Sequence, residues 1–584
     1  MRIFKQQTLY FILILFLAAG MLALAFHRND PVRTEFWRVE IYADKAGYYI
    51  YLPSAFIYSF NSEAYPENIE EKCGYGFSVK EGVVKTKYPY GVSLLLAPFF
   101  LVTHAIVSMS GGQADGFSRP YHWAVLISGA FFLFLGLWFS YKLLSKYFAA
   151  GISFLALFLL LTGTNLFWYA SEDIGMSHVY SFALFAMLMY YYHQLVHLNH
   201  SGKRWLYFII VAVLIALIAQ VRNINLIFIP FVLLWDIRSF TSLRERIITF
   251  ITWRNILVFL LIFFVFSLPQ LLYWKYSYGS YLVYSYQGET FSNWNEPFLA
   301  EMLFSPRSGI WVHNPLLVFV VIGGLWMLLR EAKVRINAVL VLFVFVLYVY
   351  LYSSWGTWSL GTGEGSGSRA MVDLYPLLFF PVVWIMQHTR KWMRGVVLGL
   401  MILMMLYYQN LVLRPQPYNA ISDWEWYYYK QNYYSGAFMR PLLGPNYYQE
   451  DPDMILTLKA CNGNYVGVRP DGQLAAVSDS VTKNEMLNFI YVIRKDGSFA
   501  IKAANSYYVS ADAFHQNLLL AQAEVRSYWE TFFLVPQEKG KVAIQSHDGF
   551  YVSSEPVNEG ILIANRTAIL DWELFEADTL YLRE

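Results

Sequence analysis

Residues 89–108 read Pro-Tyr-Gly-Val-Ser-Leu-Leu-Leu-Ala-Pro-Phe-Phe-Leu-Val-Thr-His-Ala-Ile-Val-Ser, and whether they cross a membrane fixes the side of everything after them. The run is apolar and has the length of about 20 residues that a spanning helix needs. Suppose that it does not cross. The loops carrying Lys142, Lys146, Lys203, Arg204, Arg238, Arg244, Arg246, Arg254, Arg330, Lys333, Arg335, Arg390, Lys391 and Arg394 then face the cytoplasm with Arg2 and Lys5. The opposite loops hold only Arg222, Lys275, Arg307 and Arg369. If the run does cross, the larger basic set moves outside, against the positive-inside preference. Residues 89–108, opened by Lys87-Tyr-Pro-Tyr-Gly91, therefore read as an interfacial or re-entrant helix.

Working outward, further apolar runs lie near 8–26, 121–142, 148–168, 176–196, 205–219, 223–237, 255–276, 315–329, 336–353, 371–388 and 394–412. They predict a polytopic α-helical membrane protein of about eleven spans, with 205–219 and 223–237 as a bent pair around Arg222. The bulk composition agrees. The 584 residues are 57% hydrophobic and 14% charged, against about 25% charged in soluble domains. The start, Met1-Arg-Ile-Phe-Lys5 and a long apolar run with no small-residue cleavage site, reads as an uncleaved first span with a cytoplasmic N-terminus. The long segment 27–118 and the C-terminal region then fall outside. Cys73 and Cys461 exclude a disulfide scaffold and a Cys-rich zinc site; both fall on the outer side, unpaired or bridged to each other.

Beyond residue 453 the material changes. Asn462-Gly-Asn-Tyr465-Val, Asn505-Ser-Tyr-Tyr508-Val and Asp548-Gly-Phe-Tyr551-Val recur with a period of 43 residues. Each follows a short alternating run, and Phe489, Phe532 and Phe575 hold equivalent places further along. Units of this length cannot bury a core singly, so three must close one together. Trp529, Trp572 and the Phe and Tyr series are expected to fill it. Residues 1–412, 413–452 and 453–584 thus read as membrane domain, aromatic and Pro-containing connector, and repeat domain.

The unusual polar residues gather in the outer loops. The first offers Glu40, Asp44, Tyr48 and Tyr49, and the second Glu172, Asp173 and His178. Arg222 stands alone between apolar segments, where a charge is expensive and tends to be functional. A later loop holds Phe304-Ser-Pro-Arg307 and His313; the last runs from Trp355 and Trp358 through Glu364 to Arg369. Its glycines lack the GxxxxGK[ST] order, so nucleotide binding is discounted. Carboxylates and arginines on one membrane face suit a base that deprotonates an acceptor while guanidinium groups hold a phosphate leaving group.

The ordered set resembles the GT-C fold glycosyltransferases that use a polyprenyl-phosphate-linked sugar, such as the protein O-mannosyltransferases and the lipid A aminoarabinose transferase. The resemblance covers residues 1–412 and rests on Asp44 with Tyr48-Tyr-Ile-Tyr-Leu-Pro53, on Lys87 to Gly91, on Glu172-Asp173, and on the late Ser-Pro-Arg and Gly-x-Arg loops. It implies Asp44 as the base on the acceptor hydroxyl, and Arg222, Arg307, Arg369 and Lys87 as ligands of the donor phosphate. The family's paired carboxylates are missing, because Lys45 follows Asp44; Glu40, Glu172 or Asp173 is left to supply the second one. Tyr48, Tyr49, His178, His313, Trp355, Trp358 and Glu364 are expected to line the substrate. The repeat domain resembles β-trefoils of the fascin-like or ricin-like type.

The function implied is an integral-membrane, inverting glycosyltransferase of a bacterial inner membrane. It would pass a sugar to a glycan, lipid or protein hydroxyl on the periplasmic face. A divalent cation is a candidate cofactor, the trefoil a candidate holder of the acceptor, and nucleic acid is no partner. A lipid-linked glycan transporter or flippase is the rival from another class, and a glycan polymerase or ligase the rival within enzymes. A transporter would set charges at mid-membrane on several spans, whereas these spans are nearly free of acidic residues.

Overall fold

The computed structural model describes residues 2–28, 40–80, 82–197, 201–286, 290–304, 309–355, 368–412, 454–478, 487–491, 498–503, 507–511, 516–523, 529–537, 541–547, 549–555 and 559–581. They divide near residue 414 into two compact units. The expected connector, 413–452, lies outside the described residues.

The first unit is helical. Among the described residues, seven helices have the length and apolarity to cross a membrane: Gln6–Arg28, Gly91–Met109, Arg119–Leu144, Lys203–Val221, Trp253–Tyr278, Ala332–Ser353 and Lys391–Asn410. Arg369–Leu378 and Phe380–His388, bent by 46°, bring the number to eight. Gly91–Met109 is not among the roughly eleven spans expected, so four expected runs are missing from these eight. Run 148–168 breaks after Ala150–Gly163, run 223–237 shortens to Asn223–Leu233, and run 315–329 forms only the short helix Pro315–Arg330. Run 176–196 forms one unbroken helix, Ser177–His197, whose histidines and tyrosines lower its apolarity.

Helix Gly91–Met109 counts as a candidate span by length and composition, and its contacts link it to two other helices. Gly91 lies so close to the backbone of Gln220, at the end of helix Lys203–Val221, that a Cβ there would sit 2.3 Å from the Gln220 carbonyl carbon. Further along, His104 Nδ1 is 2.7 Å from the hydroxyl of Tyr121, in the first turn of Arg119–Leu144. Helices Arg119–Leu144 and Ser177–His197 run parallel from this end, with Gly136 against Phe182 and Phe139 against Tyr190, and Lys203–Val221 returns to it. Between the Gly91 and His104 contacts, Phe99 packs on Phe131, midway along Arg119–Leu144. Small residues let the parallel pair approach closely, as membrane helices require when lipid offers no hydrophobic drive.

Residues 40–86 fold over the same end as short helices, Ala43–Tyr49, Tyr51–Phe56 and Ile69–Lys72, and a hairpin of Ser78–Lys80 with Val83–Lys85. Their own core of Ile41, Ala46, Tyr49, Ile50, Leu52, Ile69, Cys73, Phe77 and Val84 packs on Phe100, Tyr121 and Tyr273. Cys73 is buried within it, Cys461 is exposed, and both are free thiols.

The second unit is a sheet structure. Met454–Lys459, Leu487–Tyr491, Ser498–Ala503, Phe532–Pro536, Lys541–Ser546 and Phe575–Tyr581 pair in that order, antiparallel, and the last pairs back to the first. The ring of six strands is closed, so it has no open edge. Three hairpins start at Tyr465, Tyr508 and Tyr551 and meet one another through the bridges Gln473–Leu520, Ala475–Ile561 and Leu518–Ile563. Each hairpin shifts register immediately after its tyrosine, the same irregularity at the same place in each repeat. Leu458, Ile501 and Ile544 fill the core with Val466, Val509, Val552, Phe532 and Phe575. The tryptophans do not: Trp572 is 40% exposed and Trp529 half-buried. The 43-residue spacing carried the symmetry, but the smaller branched residues beside the tyrosines take the interior.

Candidate active site

Asp44 sits in the first turn of Ala43–Tyr49, where a carboxylate suits the positive end of a helix. The Tyr88 hydroxyl donates to Oδ1, and Arg369 Nη1 lies 3.2 Å from Oδ2. Burial alone would raise the Asp44 pKa; the charges of Arg369 and Lys87 and the Tyr88 hydrogen bond more than offset it and hold the carboxyl below its ordinary value. Tyr88 is pushed well above the usual phenol by its burial and by Asp44, so it remains a donor. Gly47 makes room for this pair, since a Cβ there would fall 2.2 Å from the Tyr88 ring.

A continuous set of contacts leads from Asp44 around the site. The Tyr88 ring packs on Tyr48, with centroids 4.4 Å apart. Ser177 Oγ is 3.2 Å from the Tyr48 hydroxyl and accepts from Arg222 Nη1 at 3.3 Å. Arg222 also donates to the Tyr352 hydroxyl at 3.2 Å and places Nε 3.2 Å from Asp373 Oδ2. Asp373, fully buried, bonds His178 Nδ1 at 2.9 Å and accepts from Asn225 Nδ2 at 2.8 Å. Asp373 and Arg369 share the turn Arg369–Leu374, which closes the circuit back to Asp44.

The other acidic residues are engaged elsewhere. Glu40 is 1% exposed; its Oε2 accepts the Gly175 N–H at 2.9 Å and its Oε1 faces Lys45 Nζ at 3.4 Å. Burial, with the charge of Asp173, pushes Glu40 up to about 7 against the pull of Lys45 and Gly175. Lys45 also reaches Asp173 Oδ1 at 3.2 Å, and Trp168 Nε1 donates to Asp173 Oδ2 at 2.9 Å. Glu172 pairs with Arg28 at the end of the first helix. These pairs tie the first loop to the second. Asp44 differs in being one-third exposed (34% for its side chain).

Lys87 has its ammonium 5.5 Å from both the Tyr88 and Tyr286 rings. Trp355 joins this aromatic rim through Tyr286 and Phe291. Tyr49 turns the other way: its hydroxyl donates to the Gly116 carbonyl and its ring packs on Phe100. His313 is buried at the end of Ile310–His313. Arg307, Trp358 and Glu364 lie outside the described residues. Asp373, Asn225, Ser177 and Tyr352 were missed as site residues. A lone aspartate heading the apolar run 371–388 was the available signal for Asp373; Tyr352 carried none. Among the described residues, the carboxylates around Asp44 form no group with metal-ligand spacing.

No family model and no curated protein matches the chain. Among solved structures, the archaeal oligosaccharyltransferase AglB from Archaeoglobus fulgidus, in complex with an inhibitory peptide and a dolichol-phosphate, is similar over 71% of this chain and 57% of that one, at 12% identity and a TM-score of 0.40. The S. cerevisiae protein O-mannosyltransferase Pmt1-Pmt2 complex bound to the sugar donor is similar over 98% of this chain and 64% of that one, at 9% identity and a TM-score of 0.26. The designed 3-fold symmetric protein ThreeFoil is similar over 21% of this chain and 96% of its own, at 14% identity and a TM-score of 0.20. The chain thus matches less than two thirds of each of the two transferases.

Proposed function

We propose that this protein is an integral-membrane glycosyltransferase of the GT-C type. It transfers a sugar from a polyprenyl-phosphate donor to an acceptor hydroxyl on the extracytoplasmic face. One observation carries the reading: of four candidate carboxylates, Asp44 has the most exposed side chain, 34% against 22% for Asp173, 11% for Glu172 and 1% for Glu40, and it is held between a guanidinium, at 3.2 Å from Arg369, and a phenol hydroxyl, with Lys87 beside it. Glu40 has a pKa better matched to general base work, but its oxygens are already engaged and it is 1% exposed.

The chemistry follows from those groups. The acceptor oxygen attacks the anomeric carbon on the face opposite the phosphate, so the configuration inverts. The carbon–oxygen bond to phosphate breaks with its electron pair, and the acceptor proton passes to Asp44. Arg369 and Lys87 offset the charge that develops on the departing lipid phosphate. In drawing Arg369, the donor phosphate weakens its hold on Asp44 and raises the basicity of that carboxylate. Donor binding therefore activates the base. We read the closed six-stranded ring with its three hairpins as a β-trefoil that handles the acceptor.

Membranes carrying the protein, offered labelled polyprenyl-phosphate sugars one at a time, test the reading. One donor should give free lipid phosphate in an amount equal to the sugar transferred. Movement of the intact donor across the bilayer without phosphate release would overturn it in favour of a transporter.

A further inference from the structure

Twenty residues along helix Ser177–His197 from the Asp44 circuit, about 30 Å at helical rise, a second polar cluster closes the other end of the bundle. His193 and His197 are one helical turn apart on one face, with ring centroids separated by 4.3 Å. Between them comes Asp236, whose Oδ2 lies 3.4 Å from His193 Nδ1 and 3.2 Å from His197 Nε2. We propose that His193, His197 and Asp236 bind a divalent first-row transition ion of the zinc type.

Three observations support this. The first is spacing: donor atoms at about 2.1 Å around a tetrahedral ion stand about 3.4 Å apart, and the two carboxylate–imidazole distances already have that value. The three ligand atoms all fall within 4.8 Å of one another. The second is the orientation of the carboxylate. Asn337 Nδ2 donates to Asp236 Oδ1 at 2.9 Å and Asn337 Oδ1 accepts the Asp236 N–H at 2.9 Å, leaving Oδ2 toward the histidines. The Tyr147 hydroxyl meets the ligating atoms themselves, lying 3.0 Å from His193 Nδ1 and donating to Oδ2, so a bound ion displaces it or takes it as a further neighbour; Trp235 Nε1 donates to it at 3.1 Å. An outer partner such as Asn337 is what holds a ligand in place before metal arrives.

The third observation is backbone strain. Asp236 has a φ of +62°, in the left-handed region that residues with a Cβ avoid. Arg246 secures the turn by donating to the carbonyls of Leu233 at 3.3 Å and Trp235 at 2.5 Å. The strain places the carboxylate where the histidine pair needs it. His197, with 43% of its side chain exposed, leaves an entry path and an open coordination position. Imidazole and carboxylate donors together favour zinc, cobalt, nickel or iron over calcium and magnesium. By the charge count over the loops, this end faces the cytoplasm. A bound ion would clamp helix Ser177–His197, the turn after Ile229–Leu233 and helix Arg335–Ser353 together.

The test uses the full chain, purified in detergent, stripped with chelator and titrated with Zn²⁺, or with Co²⁺ as a coloured probe. The expected result is one equivalent of Zn²⁺ per chain, with a Co²⁺ visible spectrum of low coordination number that Zn²⁺ erases. His197→Ala, at an exposed position, should fold and weaken binding at least tenfold, and Asn337→Ala should weaken it by about 10–100-fold. A wild-type chain that takes up no stoichiometric Zn²⁺ or Co²⁺ would show the cluster to be a hydrogen-bonded staple and overturn the proposal. So would equal binding by wild type and His197→Ala.

Discussion

Asp44→Asn separates the proposed base from everything else that the residue does. Asparagine keeps the shape of the side chain. Its amide oxygen can face Arg369 while its NH₂ meets the Tyr88 hydroxyl, which accepts as readily as it donates. The lost ion pair is partly exposed on both sides, 25% for Arg369 and 34% for Asp44, so its removal is worth about 0–1 kcal/mol of stability. Loss of a positioned base is far larger, about 10²–10⁴-fold in rate, or about 3–5 kcal/mol in the barrier. The assay is release of lipid phosphate with the competent donor, run beside thermal unfolding in the same detergent. We expect kcat to collapse, the unfolding temperature to move little, and the donor KM to hold or fall because Arg369 is freed for the phosphate. A folded Asp44→Asn protein that turns over within tenfold of wild type would refute the base assignment. In the wild type, kcat/KM should show no acid limb from Asp44 down to its ordinary value of 3.8, because the free enzyme holds that carboxyl lower still.

Two further outcomes follow from the buried partners. Glu40, with a folded pKa of about 7 against 4.5, favours its protonated form in the fold. Its contribution is therefore fully present below 4.5 and is lost as pH rises through 7, a change on the order of 3 kcal/mol. Unfolding temperature should fall over that window, and Glu40→Gln, neutral throughout, should flatten the slope. Gly47→Ala would drive a methyl into the Tyr88 ring; we expect at least a tenfold loss of kcat, read in the phosphate-release assay, with membrane insertion unchanged on fractionation.

What could be read from the sequence was what composition and periodicity encode. Apolar runs marked the helices, and the 43-residue period marked the threefold ring. The charge asymmetry pointed to a non-crossing 89–108, while Gly91–Met109 has the length and apolarity of a span. Which charges pair was not legible, because the pairings depend on contacts remote in sequence. Asp44 meets Arg369 across 325 positions, and Lys45 meets Asp173 across 128. Glu40, Glu172 and Asp173 therefore looked interchangeable as a second carboxylate beside Asp44. Only the fold shows that Lys45, which seemed to spoil a catalytic acidic pair, instead joins Glu40 and Asp173 into the brace between those loops. The His193–His197 pair also escaped notice, since its partner Asp236 is distant in sequence and the helix reads as an ordinary apolar segment.

The same geometry reorders the cations. Arg222 was a candidate for the donor phosphate together with Arg307, Arg369 and Lys87, and its charge between apolar segments marked it as functional. Yet its nitrogens are distributed over Ser177, Tyr352 and Asp373, and Asp373 is itself fixed by His178 and Asn225. Turning Arg222 toward a ligand would leave Asp373 buried beside an absent charge, a loss of about 3–5 kcal/mol for pairs of this kind. Arg369 faces a lesser obstacle. Its pair with Asp44 is partly exposed on both sides, so a phosphate that engages two guanidinium hydrogens at once can compete for it. Lys87 stands on the aromatic rim beside Tyr88 and Tyr286, and its charge also acts on Asp44. We therefore infer that Arg369 and Lys87 grip the donor phosphate, while Arg222 acts as a positioning residue that holds the turn Arg369–Leu374 against Asp44.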